Sequence, residues 1–168
     1  ALLDVTGAER PTTTVTAALL AFAVRLVNPT DGPLGVEPAW RGYAQPVAQG
    51  RGWTPLATAT IFGVLIAGWH LPLFFLEEGG LQADVLVPGL VTTFAVTFWY
   101  TWLFNRSGGS SLITLVAHNV EGVVPAEPWS YMVVWSALAL VLVVADLRRW
   151  RTPAPAAATS PVNRTEPV

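Results

Sequence analysis

The sequence predicts an all-α fold, a polytopic helical bundle embedded in a membrane with about four spans. Two features of composition lead there. Apolar residues make up 52% of the 168 residues and charged residues only 12%, about half the charge of a soluble domain. The charges also cluster between apolar blocks instead of being spread along the chain, as expected when the blocks lie in hydrocarbon and the loops in water. A third observation concerns chemistry. The only two histidines, His70 and His118, both sit inside apolar segments, where an ionisable group is expensive and usually functional.

The first apolar block, Thr12 to Val27, is short, Thr-rich and interrupted by Arg25, and a turn cluster from Asn28 to Pro33 follows it. The stretch Glu37 to Gln49 is too polar and short to span alone. Pro38 suits the first turn of a helix beginning there, and Glu37 and Arg41, four apart, would share its face. Trp53 to Leu76 runs 24 residues, about 36 Å as a helix, enough to cross the hydrocarbon core. Val85 to Phe104 is 20 residues without charge, and Trp99, Tyr100 and Trp102 near its end read as interfacial aromatics. Ser111 to Val124 carries His118. Trp129 to Leu147 is a further span closed by Arg148, Arg149 and Arg151, with Asp146 expected to pair at the interface with Arg148.

The expected organisation is a membrane domain over 12–151, preceded by a disordered or truncated start over 1–11. A Pro/Ala/Thr/Ser-rich tail over 152–168 is expected to be disordered. Loop charges alternate in sign, which places Arg51, Arg106 and Arg148 to Arg151 on the cytoplasmic side and the C-terminus with them. Net charge is −2, so no basic surface argues for nucleic acid. The absence of Cys excludes disulfides, thiol nucleophiles and thiolate metal sites.

The polar residues of the apolar blocks each have a structural reading as well as a chemical one. His70, before Leu71-Pro72, can be an interfacial residue. His118 can be a hydrogen bonder between packed helices. Glu37 can be a solvated helix cap with Arg41 as its surface partner. Together, two imidazoles and a carboxylate from three segments point to a buried site that activates water. Neutral His relays protons or ligates metal, and a carboxylate takes a proton from water or orients an imidazole. Residue counting puts His70 deep in its span and His118 early in its own, so spacing permits a shared site without requiring one.

The stretch GPLGVEPAWRGYAQP, followed by GWHLPLFF and then LVAHNVEG, resembles the type II CAAX prenyl endopeptidase and bacteriocin-processing family, the CPBP or Abi group, over roughly residues 30–125. That resemblance implies an intramembrane endopeptidase, usually called a metalloprotease, in which a glutamate activates water for attack on a peptide carbonyl. It assigns Glu37 to the second glutamate of the first motif, Arg41 to its arginine, and His70 and His118 to the two motif histidines. Glu37, His70 and His118 would then be the ligands of any divalent metal such as zinc, held by nitrogen and oxygen alone. The implied partners are the lipid bilayer and a peptide or membrane-protein substrate, and the Arg-only, Ala/Val/Gly-rich composition points to a bacterial cell membrane.

Three positions depart from the pattern. Val36 stands where the family has its first glutamate, the expected base. Gly122 stands four after His118, where Asn or Asp is expected. Ile66 replaces the Phe four before His70. The replacement base would be Glu37 or Glu121, the latter three residues from His118 and on its helical face, with Asn119 pointing elsewhere. Two readings follow: an endopeptidase weakened by these losses, or a non-catalytic membrane binding or immunity protein of the same fold. A transporter fragment with a histidine proton relay is disfavoured, since no inverted repeat is visible.

Overall fold

Two of the long helices start with a capping residue followed by proline. Thr54 Oγ1 accepts the N–H of Ala57 at 3.1 Å, and Pro55 then opens its helix. Glu127 accepts the N–H groups of Trp129 and Ser130 at 2.9 and 2.7 Å ahead of Pro128. Both place a side-chain acceptor on orphan donors and a residue without N–H where none is needed. The structure, a computed structural model, describes residues 14–28, 32–75, 82–123 and 127–153. The expected start over 1–11 and nearly all of the expected tail lie outside them.

The helices are α1 (Val15–Val27), α2 (Pro33–Ala39), a π-helical turn (Trp40–Ala44), α3 (Gln45–Gly50), α4 (Pro55–His70), α5 (Ala83–Arg106), α6 (Ser111–Glu121), α7 (Pro128–Ala145) and α8 (Leu147–Arg151). A 3₁₀ segment, Leu71–Phe75, continues α4. The described residues include no strand. Among the described residues, three helical segments are long and apolar enough to cross a membrane: Pro55–Phe75, Ala83–Arg106 and Pro128–Ala145, with α1 a shorter apolar helix.

Two local expectations are corrected. The second polar segment begins its helix at Pro33, not at Glu37, so Pro38 lies inside α2 and Glu37 is not a solvated cap. Asp146 pairs with Arg106 at 2.6 Å and with Arg149 at 3.6 Å, not with Arg148. The chain breaks its helix at Asp146, which turns α8 back toward α4 and lets Trp150 bury against Ala59 and Phe98. Trp150 is therefore core, with its indole N–H on Leu142 O at 2.8 Å.

The long helix α5 is central and packs against α4, α6 and α7, while α2 packs against α6 and α1. Close approach of α4 to α5 depends on Gly63, where a Cβ would meet the Phe94 ring at 2.8 Å. Small residues at such crossings are the usual device for bringing membrane helices together. The distribution of polarity is inverted relative to a soluble protein. Glu37, Arg41, Gln45, Thr58, Thr101 and Asn119 are buried, whereas Val64, Leu65, Val134, Leu140 and Val141 are exposed. α7 buries none of its residues within this chain. An apolar exterior of this extent suits lipid and not water.

The ends of the spans agree with one sidedness. Pro55, Arg106, Asp146 and Arg149 line a single shallow pocket, so the start of α4, the end of α5 and α8 meet at one face. Gly63→Val is expected to lower stability by about 1–3 kcal/mol through overpacking. Val64→Leu, on the neighbouring 61% exposed position, should change it by no more than about 0.5 kcal/mol. Thermal unfolding midpoints in detergent distinguish the two.

Candidate active site

The local chain at the first motif is irregular for a reason. Pro46 has no N–H to return to the carbonyl of Gly42, and its ring crowds that carbonyl in a regular α-helix. The turn before it widens instead, and the N–H of Gln45 reaches back five residues to Trp40 O. Single π turns of this kind are frequent at functional sites. This one carries Arg41, and α2 just before it carries Glu37.

Both residues are 1% exposed. Arg41 Nε stands 3.8 Å from Glu37 Oε2, close enough for about 4 kcal/mol of attraction at an effective dielectric near 20. The other carboxylate oxygen, Oε1, is 2.9 Å from His118 Nδ1 on α6. An ionised carboxylate only accepts, so His118 Nδ1–H donates and Nε2 is the ring's remaining acceptor when the imidazole is neutral. At the end of α4, His70 Nδ1 is 2.8 Å from Ile66 O, one turn back. A carbonyl also only accepts, so His70 too keeps its proton on Nδ1 and its electron pair on Nε2.

These side chains share one cavity of ≈ 200 Å³, far above the ~15 Å³ that a single water needs. Glu37, Arg41, His70, His118 and Glu121 all line it, so the residues singled out by the sequence meet despite their different depths along the helices. Val36 lines it as well, putting an isopropyl group where a second carboxylate was expected. Glu121 is held by two tyrosines. Tyr131 OH donates to its Oε1 at 2.6 Å, and Tyr100 OH lies 3.4 Å from its Oε2.

Tyr100 and Tyr131 were not singled out by the sequence. Tyr100 belongs to the aromatic run near the end of α5 and reads there as an interfacial residue, yet it is buried. His118 stacks on its ring at 5.2 Å between centroids, with the planes 29° apart. The Arg41 guanidinium lies over the same ring at 5.2 Å. Only the pairing of one buried phenol with several charged motifs would have marked it, and that pairing is a property of the fold.

The expected loss at Gly122 has a structural counterpart. A Cβ there would meet the guanidinium of Arg25 on α1, so the side-chain space at 122 is filled from another helix. Asn119 is directed elsewhere, as expected, with Nδ2 donating to Phe22 O at 2.8 Å. Ile66 packs with Phe62 and Ala48.

The expected metal set of Glu37, His70 and His118 can be tested against this geometry. Among the described residues, no group of three or more His, Asp or Glu side chains gathers as a metal ligand set. Glu37 Oε1 and His118 Nδ1 are already committed to each other. These residues do not fit a three-ligand centre as arranged.

A family model described as Rce1-like, type II CAAX prenyl endopeptidase Rce1-like, matches residues 14–124, and the chain belongs to that family. The match spans α1 to α6 and so includes every motif residue of the cavity. No curated protein and no solved structure matches the chain.

Removing one member of the buried ion pair should be costly. Arg41→Gln leaves Glu37 as a buried charge without its cation and is expected to cost about 3–5 kcal/mol. Adding Glu37→Gln in the same chain should recover at least half of that. Unfolding of the two variants in detergent measures it.

Proposed function

We propose that this chain is an intramembrane endopeptidase in which the Glu37–His118 pair activates a water for attack on a peptide bond. The hydrogen bond between the two side chains carries the reading. Within the pair, the imidazole is the group that water can reach. Its side chain is 22% exposed against 2% for Glu37. His118 is therefore the base, and Glu37 fixes its tautomer and compensates the charge that it acquires. This is the division of labour of a carboxylate–histidine pair in other hydrolases.

His118 Nε2 takes a proton from water as the water oxygen bonds to the carbonyl carbon. The carbonyl π pair moves to oxygen and makes a tetrahedral oxyanion. His118 then returns the proton to the peptide nitrogen as the C–N bond breaks, releasing an amine and a carboxylic acid. His70 can donate to the oxyanion from Nε2 when its ring is protonated, because Nδ1–H is spent on Ile66 O. Arg41 holds Glu37 ionised and in place. Glu121, the other carboxylate in the cavity, has an oxygen tied to Tyr131 at 2.6 Å and is the weaker candidate for the base.

The substrate would be a peptide or membrane protein presented from the bilayer, in a bacterial cell membrane with the C-terminus cytoplasmic. The second reading, a binding or immunity protein of the same fold, is favoured by Val36, which lines the cavity where a carboxylate would complete the first motif.

Purified protein in proteoliposomes should cleave a membrane-anchored peptide library. His118→Ala is expected to lower kcat by about 10²–10⁴-fold, the usual cost of a lost general base, Glu37→Gln to lower it because the tautomer and charge of His118 are no longer supported, and His70→Ala to abolish measurable cleavage. Equal rates for wild type and His70→Ala would contradict the reading. Cleavage that appears only on Val36→Glu would favour the non-catalytic one.

A further inference from the structure

The side chains around the Glu37–His118 bond form a closed circuit. Glu37 meets His118 at 2.9 Å and Arg41 at 3.8 Å. Both of those partners lie on one aromatic ring, that of Tyr100, each at 5.2 Å. The ring comes from α5, the helix against which α4, α6 and α7 pack. Tyr100 is 4% exposed, so packing fixes its position and leaves it little freedom to move.

We propose that Tyr100 is a positioning residue, whose ring holds the His118 imidazole and the Arg41 guanidinium in register against Glu37. The physical need is specific. Arg41 Nε and Glu37 Oε2, at 3.8 Å, are beyond hydrogen-bond reach, and both lack a hydrogen-bond partner among the described residues. The pair alone therefore does not orient the guanidinium. A π face does so by attraction to the cation, and it stacks on the imidazole at an offset-stacking distance. The hydroxyl has a separate job, since it points to Glu121. Ring and hydroxyl can thus be separated by substitution. Tyr100→Phe keeps the face and removes the Glu121 contact, whereas Tyr100→Leu removes the face.

Two histidines make the test clean. In ¹⁵N-histidine-labelled protein, the Nδ1–H of His118 bonded to a carboxylate should give one downfield, slowly exchanging resonance, assigned by its loss in His118→Ala. Tyr100→Phe is expected to retain it and to keep kcat within about threefold of wild type. Tyr100→Leu, with unchanged helix content, should lose or broaden it and lower kcat roughly tenfold or more, with KM little changed. Retention of the resonance in a folded Tyr100→Leu protein would overturn the proposal, as would its loss in folded Tyr100→Phe. If Tyr100→Leu does not fold, Tyr100→Met, unbranched and adaptable in packing but equally without the face, takes its place with the same expected loss. The kinetic arm rests on the peptidase reading, while the resonance does not, so failure of either is separately visible.

Discussion

A hydrogen bond between Glu37 and His118, 81 positions apart in sequence, is the constraint on which the site depends. It forces α2 against α6 and buries a carboxylate in a bundle whose outside is apolar. That burial is tolerable only because a guanidinium lies four residues along the same helical stretch and an imidazole faces it. The same contacts leave one ring nitrogen of His118 as the acceptor within a cavity large enough for water. Chemistry and packing are thus set by one group of side chains, and neither can be altered alone.

The rest of the bundle serves this arrangement. α5 supplies the wall of the cavity through Thr92, Val96 and Tyr100, and two of its threonines return their hydroxyls to their own backbone, Thr93 to Gly89 O at 2.9 Å and Thr97 to Thr93 O at 2.8 Å. Those two hydroxyls can therefore lie in the interior without leaving a donor bare in hydrocarbon. The tight crossing at Gly63 brings α4 close enough for His70, at the end of that helix, to reach the same cavity. At the opposite end, the Arg106–Asp146 pair and buried Trp150 lock α8 onto the bundle.

Much of this was legible in the sequence. The three longest apolar blocks became helices long enough to span, because length and hydropathy are local properties. Glu37, Arg41, His70, His118 and Glu121 line one cavity, an arrangement that their spacing in the sequence permits without requiring. Helix ends were less legible. Pro38 was read as a first-turn residue because Pro33, the one that opens the helix, sat in a turn-rich cluster. Asp146 was given its nearest cation in sequence, whereas the bundle offers Arg106, 40 positions away. Tyr100 was read as an interfacial aromatic, since nothing in one chain distinguishes a phenol facing lipid from one facing two charged helices. The role of Arg25 beside Gly122 was hidden for the same reason: its partner position is defined by the crossing of α1 and α6.

The absence of cysteine from the chain gives the most direct test. A Gly42→Cys/Ser111→Cys double variant keeps Glu37 and His118 and places two thiols on the π-helical turn and α6, where a Cβ at 42 would lie 3.9 Å from Ser111 Oγ. A short bifunctional thiol reagent that fluoresces only on double reaction should then label the membrane-embedded protein internally and block later maleimide addition at both sites. Independent reaction of the two cysteines with a lipid-soluble maleimide, without internal cross-linking, would contradict the account.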